Sequence, residues 1–411
     1  MKTLCKNIKE LIQIREKGIS FITGEEMKNL PSISDAYLII EDGLIGALGL
    51  MSSLLDSQVD QVIDARGKMI LPSWCDSHTH LVYAGNREGE FVDRLNGLTY
   101  EEIANKGGGI LNSAKKLQEA SEEELYAQSR VRLEEVMRLG TGAIEIKTGY
   151  GLTIDAELKM LRVIKRLKET YPIPIKATFL GAHALPQKYK DDKQAYLRLL
   201  TDDLMPKIAE ANLAEFVDVF CEEGYFSVAD TEVVLKSGRE YGLVPKVHVN
   251  QFNAIGGVRV SVKYDARSVD HLEVMREEDI ENLKNTNTMP VALPACSFFL
   301  GIPYTPVRQM IGEGLPVALA TDYNPGSSPS GNMNFVVSTA CIKMKMTPAE
   351  AINAATINGA YAMKLEKEVG SITVGKRANL IMTKPINSYN MLPYSFGSDL
   401  IDQVFVNGKR L

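Results

Sequence analysis

His78-Thr-His80 closes an apolar, β-prone run that begins at Leu71. On a strand, residues two apart face the same side, so both imidazoles can reach one ion. Taken alone, the pair fits equally well two partly buried histidines satisfied by backbone carbonyls. The rest of the chain separates these readings. It has five histidines, and each lies on or just beyond a stretch that reads as a strand. His78 and His80 end the first, His183 follows the third, His248 ends the fifth and His271 the sixth; Asp322 comes just after the eighth. Histidines kept for packing or solvation would also appear in helices and at the surface. Imidazole and carboxylate suit zinc or iron, and three nitrogens with one oxygen leave room for water. A metal lowers that water's pKa to about 7, and a nearby carboxylate can take and return its proton.

Six groups so far apart in sequence meet only if a fold gathers them. Between residues 73 and 368, short β-like runs alternate with helical patterns. After the run before His78 come Gly142–Lys147, Ile173–Leu180, Phe216–Phe220, Val244–Val249, Ser268–Leu272, Met289–Leu293 and Pro316–Thr321. Helical periodicity fills the gaps, as at Glu122–Leu139 and Asp155–Glu169, and Thr347-Pro348 reads as a capped helix start. Strand–helix alternation means parallel strands joined by right-handed crossovers, and eight such units predict an α/β fold, a (β/α)8 TIM-like barrel. Its C-terminal strand ends converge on one mouth, where active sites sit. The first seventy residues read as a small antiparallel sheet over Ala36–Ile40, Leu44–Leu48, Gln61–Asp64 and Met69–Leu71. Gly370–Lys376, Ala378–Met382 and Gln403–Lys409 repeat that texture. Neither end has strands enough for its own core, so the two are expected to pair into one small β-sandwich domain. The expected division is 1–72 with 369–411, and 73–368.

Net charge is −6 with no basic run, which disfavours a nucleic-acid or anionic-membrane surface. No apolar stretch of about 18 residues occurs, and the N-terminus lacks the apolar core of a secretory signal. Five scattered cysteines without a Cys-x-x-Cys read as reduced thiols in a cytoplasmic protein, with Cys75 a packing residue.

His78-Thr-His80, with Pro72 and Asp76 upstream, resembles the signature of the amidohydrolase superfamily. More narrowly, six motifs in order resemble the imidazolonepropionase family within it. They are His78–Glu88, Lys147–Leu152, Phe179–Ala184, His248–Phe252, Val269–Leu272 and Thr321–Ser327. The resemblance covers essentially the whole chain. It implies a hydrolase that opens the ring of 4-imidazolone-5-propanoate with water, giving N-formimidoyl-L-glutamate in histidine degradation, and it implies a homodimer. Carried over, His78, His80, His248 and Asp322 would bind one Zn2+ or Fe ion. Binuclear relatives use a carboxylated lysine from the fourth strand, and Phe216–Glu223 contains none. His271 would stabilise charge on the attacked carbonyl oxygen. Asp322 would also act as the base that later protonates the leaving ring nitrogen. Arg87 would bind the propionate through paired hydrogen bonds. Tyr150 and His183 would contact ring and side chain, and Asn324, Gly326 and Ser327 would hold substrate or product.

Each assignment has a plainer alternative. Arg87 could form a surface ion pair with Glu88 or Glu90; Tyr150 could be a turn aromatic between two glycines; His183 could cap a backbone; Asn324-Pro-Gly-Ser is an ordinary turn signal. Asp76 reads as structural. The glycines after Lys106 read as a mobile segment near the mouth or a cradle for a carboxylate. Two departures from the family pattern stand out. Many single-metal amidohydrolases carry a glutamate where this chain has Gln251. An amide cannot carry a proton at neutral pH, so Gln251 reads as substrate-orienting. That weakens the alternative of another single-metal amidohydrolase such as a deaminase. Ser73-Trp-Cys, where relatives often have Gly-Phe-Val, reads as a packing change. From a different class, the remaining alternative is a catalytically silent metal-binding protein on the same fold.

Overall fold

The computed structural model describes residues 1–55, 58–98, 102 and 108–411. In the glycine-rich stretch after Lys106, both Lys106 and Gly107 lie outside the described residues. Strand β1 (Lys2–Ile12) pairs antiparallel with β2 (Ser32–Glu41), which pairs antiparallel with β3 (Leu44–Leu50). On the other edge of β1 lie β4 (Gln61–Asp64) and β5 (Met69–Pro72), both parallel to it. The chain then enters eight parallel strands: β6 (Trp74–Asp76), β7 (Thr141–Lys147), β8 (Ile175–Ala182), β9 (Phe216–Cys221), β10 (Val244–Val249), β11 (Ser268–His271), β12 (Met289–Ala292) and β13 (Ala318–Leu319). It returns to the first sheet through β14 (Leu380–Thr383), β15 (Ile401–Val406) and β16 (Lys409–Arg410), with β14 antiparallel to β5. The two ends of the chain therefore share one sandwich-like sheet around Ile8, Leu38, Ile70, Leu380 and Phe405.

Helices pack between the barrel strands, and their starts follow local chemistry. Glu122–Arg138 begins at a capping box in which the Ser121 hydroxyl accepts from the Glu124 N–H and the Glu124 carboxylate accepts from the Ser121 N–H. Ser227 with Asp230, and Thr347 with Glu350, repeat the device at Val228–Glu240 and Pro348–Asn353.

The terminal sheet departs from expectation in three ways. It is mixed, not antiparallel, because β4 and β5 add to the free edge of β1 in its own direction. Strand β1 is hidden from pattern reading because its register shifts between Cys5 and Ile8, with Asn7 at φ 56°, which breaks the alternation of faces. Gly370–Lys376 is no strand; between tight turns it makes one isolated bridge, Ile14 to Ile372, and meets β3 at Ile45, whose N–H donates to the Lys376 carbonyl and whose carbonyl accepts from the Gly375 N–H, both at 2.8 Å.

The barrel closes where chemistry was expected. Beyond β6 and β13, the His80 N–H donates to the Tyr323 carbonyl at 2.9 Å and the Asp322 N–H to the His78 carbonyl at 3.0 Å. Just below, the buried Asp76 carboxylate accepts from the Thr321 N–H at 3.0 Å and the Thr321 hydroxyl at 2.6 Å. Asp76→Ala leaves that N–H buried without its acceptor. The variant should lose roughly 1–3 kcal/mol of stability, read as a lower denaturant midpoint; an unchanged midpoint would show that the seam does not depend on this carboxylate.

Candidate metal centre and active site

Strand periodicity places the site. On β10, Lys246 and His248 face inward together, and on β7 Glu145 and Lys147 do the same. His78 Nε2 and His80 Nε2 each lie 3.5 Å from Asp322 Oδ1. The His248 ring sits 4.4 Å from that of His78, and His271 faces both, 5.7 Å from His78 and 5.3 Å from His248. All are buried. His78 Nε2, His80 Nδ1 and both nitrogens of His248 lack a hydrogen-bond partner among the described residues. Burial holds His78 and His80 well below the usual imidazole range, with Lys147 and His183 the next contributors, respectively. Convergent ring nitrogens beside a carboxylate, those of His78 and His248 without a hydrogen-bond partner among the described residues, are what a transition-metal ion requires, so the residues present fit one.

Asp270 Oδ2 lies 2.7 Å from His78 Nδ1. That contact puts the His78 proton on Nδ1 and turns the Nε2 lone pair toward Asp322. Asp218 Oδ2 stands 3.0 Å from His248 Nδ1, though without hydrogen-bond alignment. The backbone is strained at two of these groups: His271 has φ 90° and Asp322 φ 55°. The Thr305 hydroxyl, donating to the His271 carbonyl at 2.7 Å, holds the first of these turns. His271 Nδ1 lies 3.3 Å from Glu273 Oε1. Burial opposes a proton on His271, but Glu273, Asp322 and Asp270 together outweigh it and raise the imidazole above its ordinary value. Burial pushes the Asp322 carboxyl up, against the pull of His271 and His248.

A cavity of about 910 Å³ opens over this cluster and is lined by His80, Arg87, Tyr150, His183, Gln251 and Asn324, among others. His183 stacks on His80 at 5.2 Å and 11°, and Tyr150 meets both rings edge-on. A carbonyl can only accept, so the 3.1 Å contact between His183 Nδ1 and the Gly149 carbonyl places the proton on Nδ1. His183 Nε2 is then an acceptor. Gln251 donates from Nε2 to Cys296 Sγ at 3.5 Å. Arg87 both lines the cavity and pairs with Glu90 at 2.7 Å. Gly326 makes room for that guanidinium: a Cβ there would stand 2.1 Å from Arg87 Nη1. Asn324 lines the cavity too, but its amide serves its own loop. Its Oδ1 accepts from the Gly326 and Ser327 N–H groups at 2.8 Å each, and its Nδ2 donates to the Asp322 carbonyl at 2.7 Å. The Ser327 hydroxyl reaches Asp322 Oδ2 at 3.4 Å.

Sequence reading missed Glu157, Glu273 and the carboxylates behind the histidines. Glu157 accepts from the N–H groups of Gly149, Gly151 and Leu152 at 3.2, 2.7 and 3.0 Å and so sets the turn that carries Tyr150. A glutamate four positions into a helix carries no signal of that task. Asp270 was visible within Val269-Asp-His-Leu, and its alternation with the strand's apolar residues marks it as inward-facing.

Residues 69–411 match the family described as Amidohydrolase family. Solved structures share the architecture at low identity. A triazine hydrolase variant aligns with TM-score 0.75 and 17% identity over 100% of this chain and 94% of that one. An adenosine deaminase from Xanthomonas campestris with bound zinc aligns with TM-score 0.74 and 15% identity over 99% and 92%. The chain belongs to the amidohydrolase family. Imidazolonepropionase of Flavobacterium johnsoniae is 66% identical over 409 residues, covering 100% of both chains. That of Geobacillus sp. strain WCH70 is 39% identical over 98% of this chain and 96% of its own. Within the amidohydrolases, its place is among the imidazolonepropionases.

Burial first, and the neighbouring His248 next, push His183 down to about 3. Its ring should therefore stay neutral with the proton on Nδ1 from about pH 5 to pH 8. Long-range 15N–1H NMR of imidazole-labelled protein reads this, and a His183 signal titrating near the ordinary value would refute the assignment.

Proposed function

We propose that this chain hydrolyses the ring C–N bond of 4-imidazolone-5-propanoate to give N-formimidoyl-L-glutamate, a step of histidine degradation. The observation that carries the reading is full-length identity of 66% to an imidazolonepropionase. His78, His80, His248 and Asp322 would hold one Zn2+ or Fe ion. An ion in that position supplies Lewis acidity, polarising the ring carbonyl and making water a nucleophile near neutral pH.

The chain's own groups divide the remaining work. Asp322 takes a proton from the attacking water as its oxygen bonds to the ring carbonyl carbon. His271, its Nδ1 engaged by Glu273, donates from Nε2 to the carbonyl oxygen as charge builds there. The carbon–nitrogen bond then breaks, and Asp322 returns the proton to the leaving ring nitrogen. One water is consumed and no ammonia is released. The neutral Nε2 of His183 accepts from a ring N–H, while Tyr150 packs against the same face. Gln251, steadied by Cys296, orients the ring and carries no proton. Arg87 binds the propionate, and Gly326 and Ser327 shape the wall beside it.

The division into a catalytic barrel over 73–368 and a terminal unit of 1–72 with 369–411 belongs to the same proposal, as does a homodimer working in the cytoplasm on a small-molecule substrate. Reduced cysteines support the cytoplasmic setting, and no helix among the described residues is long and apolar enough to cross a membrane.

Product analysis tests the reaction. The metal-replete enzyme should yield the formimino product without ammonia; stoichiometric ammonia would point to a deaminase instead, and no turnover to a silent binding protein. Arg87→Ala removes a charged hydrogen-bond donor and should lower kcat/KM roughly ten- to a hundredfold, mainly through KM, with metal content unchanged. Gly326→Ala should move the same parameter in the same direction by displacing the guanidinium. Normal kinetics in both would take Arg87 out of the site. Asp322→Ala should abolish turnover, and retained activity would refute its role.

A further inference from the structure

Behind the histidines the barrel is filled with charge. Glu145, Lys147, Asp218, Lys246 and Asp270 are all fully buried, three carboxylates against two ammonium groups. Barrel interiors of this kind are ordinarily packed with branched apolar side chains, so five buried charges call for a reason. Replacing a buried ion pair with apolar residues is often neutral or stabilising, so stability by itself is a weak reason for them.

The two lysines look alike and are wired differently. Lys147 Nζ lies 2.8 Å from Asp218 Oδ2, 2.7 Å from Glu145 Oε1 and 3.4 Å from Asp270 Oδ2. Lys246 pairs with the other oxygen of Glu145 and donates to the Ser77 carbonyl at 3.0 Å; its ion pairs among the described residues include neither Asp218 nor Asp270. Only Lys147 thus reaches both carboxylates that face ligand histidines, Asp270 behind His78 and Asp218 behind His248. Lys147 itself lines no part of the substrate cavity. Burial works against its charge, yet Asp218, Glu145 and Asp270 outweigh it and hold the ammonium above the ordinary lysine range.

From this wiring we infer that Lys147 is a positioning residue of the metal centre. It bridges Asp218 and Asp270, fixes the rotamers of both, and through them aims the ring nitrogens of His248 and His78 at the ion. Groups that orient metal-ligating histidines contribute about 10–100-fold to metal affinity. Here one cation governs two of them. Without it, two buried carboxylates lose a shared donor and can turn away from the rings.

The inference rests on the metal reading above, and the experiment keeps the two apart. Full-length protein is stripped of metal, and its Zn2+ affinity is measured by competition with a chromogenic chelator, with circular dichroism reporting the fold. Failure of the unmodified chain to bind Zn2+ would refute the metal reading itself. Given binding, Lys147→Met should weaken it by about 10–100-fold. Lys246→Met removes an equally buried ammonium group and should change affinity by less than about threefold. In an Asp218→Asn/Asp270→Asn background, adding Lys147→Met should cost less than about threefold more, because its route to the histidines is gone. Unchanged affinity in Lys147→Met would overturn the inference. So would equal losses in both lysine variants, or an undiminished loss in the triple variant. Should Lys147→Met not fold, Lys147→Gln keeps an N–H donor without the charge. It should lose about tenfold, and wild-type affinity in that variant overturns the inference equally.

Discussion

A parallel barrel must join its first strand to its last, and in this chain that closure and the candidate metal centre are one structure. The segments after β6 and β13 hydrogen-bond through the backbones of His78, His80, Asp322 and Tyr323. Residues about 240 positions apart in sequence meet because the sheet has no other way to close. The side chains of three of the four proposed ligands therefore inherit their positions from backbone hydrogen bonds, and Asp76 beneath them locks the same seam. Precision of this kind could not come from a loop alone. The left-handed backbone at Asp322 is tolerated for the same reason: its N–H is already held by the His78 carbonyl.

Much of this architecture could be read from sequence, because β runs alternating with amphipathic helices leave few alternatives and the histidines sit at strand ends. What could not be read has physical causes. β1 escaped because a register shift beside Asn7 interrupts its two-residue period. Gly370–Lys376 reads as a strand because β-prone residues between glycines look the same whether the glycines end a strand or make successive turns. The site was partly legible for a related reason. His78, His80, His183, His248, His271 and Asp322 announce their chemistry by residue type, whereas Glu157 and Glu273 are ordinary surface residues until burial and partners give them a task. Asn324 shows the reverse case: its loop was visible, but its amide faces its own backbone.

The cavity lining combines charged groups with uncharged polar ones. Arg87, fixed by Glu90, lines the same cavity as the rings of His183 and Tyr150 and the amide of Gln251, and in the proposed reaction the first would meet a carboxylate and the others a small polar ring. Glu90 also accepts from the Gly109 N–H and the Asn112 amide at 3.1 Å, so the guanidinium is tied to the start of the helix Ile110–Glu119 as well as to the helix Glu88–Leu95 that carries Glu90. An arginine restrained in this way loses less freedom on binding an anion than a solvated one would.

The pairing of β5 with β14 also constrains the order in which the molecule can be made. Residues 69–72 lead into the first barrel strand almost without a break, yet their partner strand begins at Leu380. During synthesis, the N-terminal strands must wait with an unpaired edge while nearly the whole barrel emerges from the ribosome. That edge exposes the backbone of Ile70, Leu71 and Pro72, an apolar stretch open to mispairing with another chain. Strand β14 thus acts as a seal: it covers a backbone edge of β5 that the chain leaves open until the barrel between them has been made.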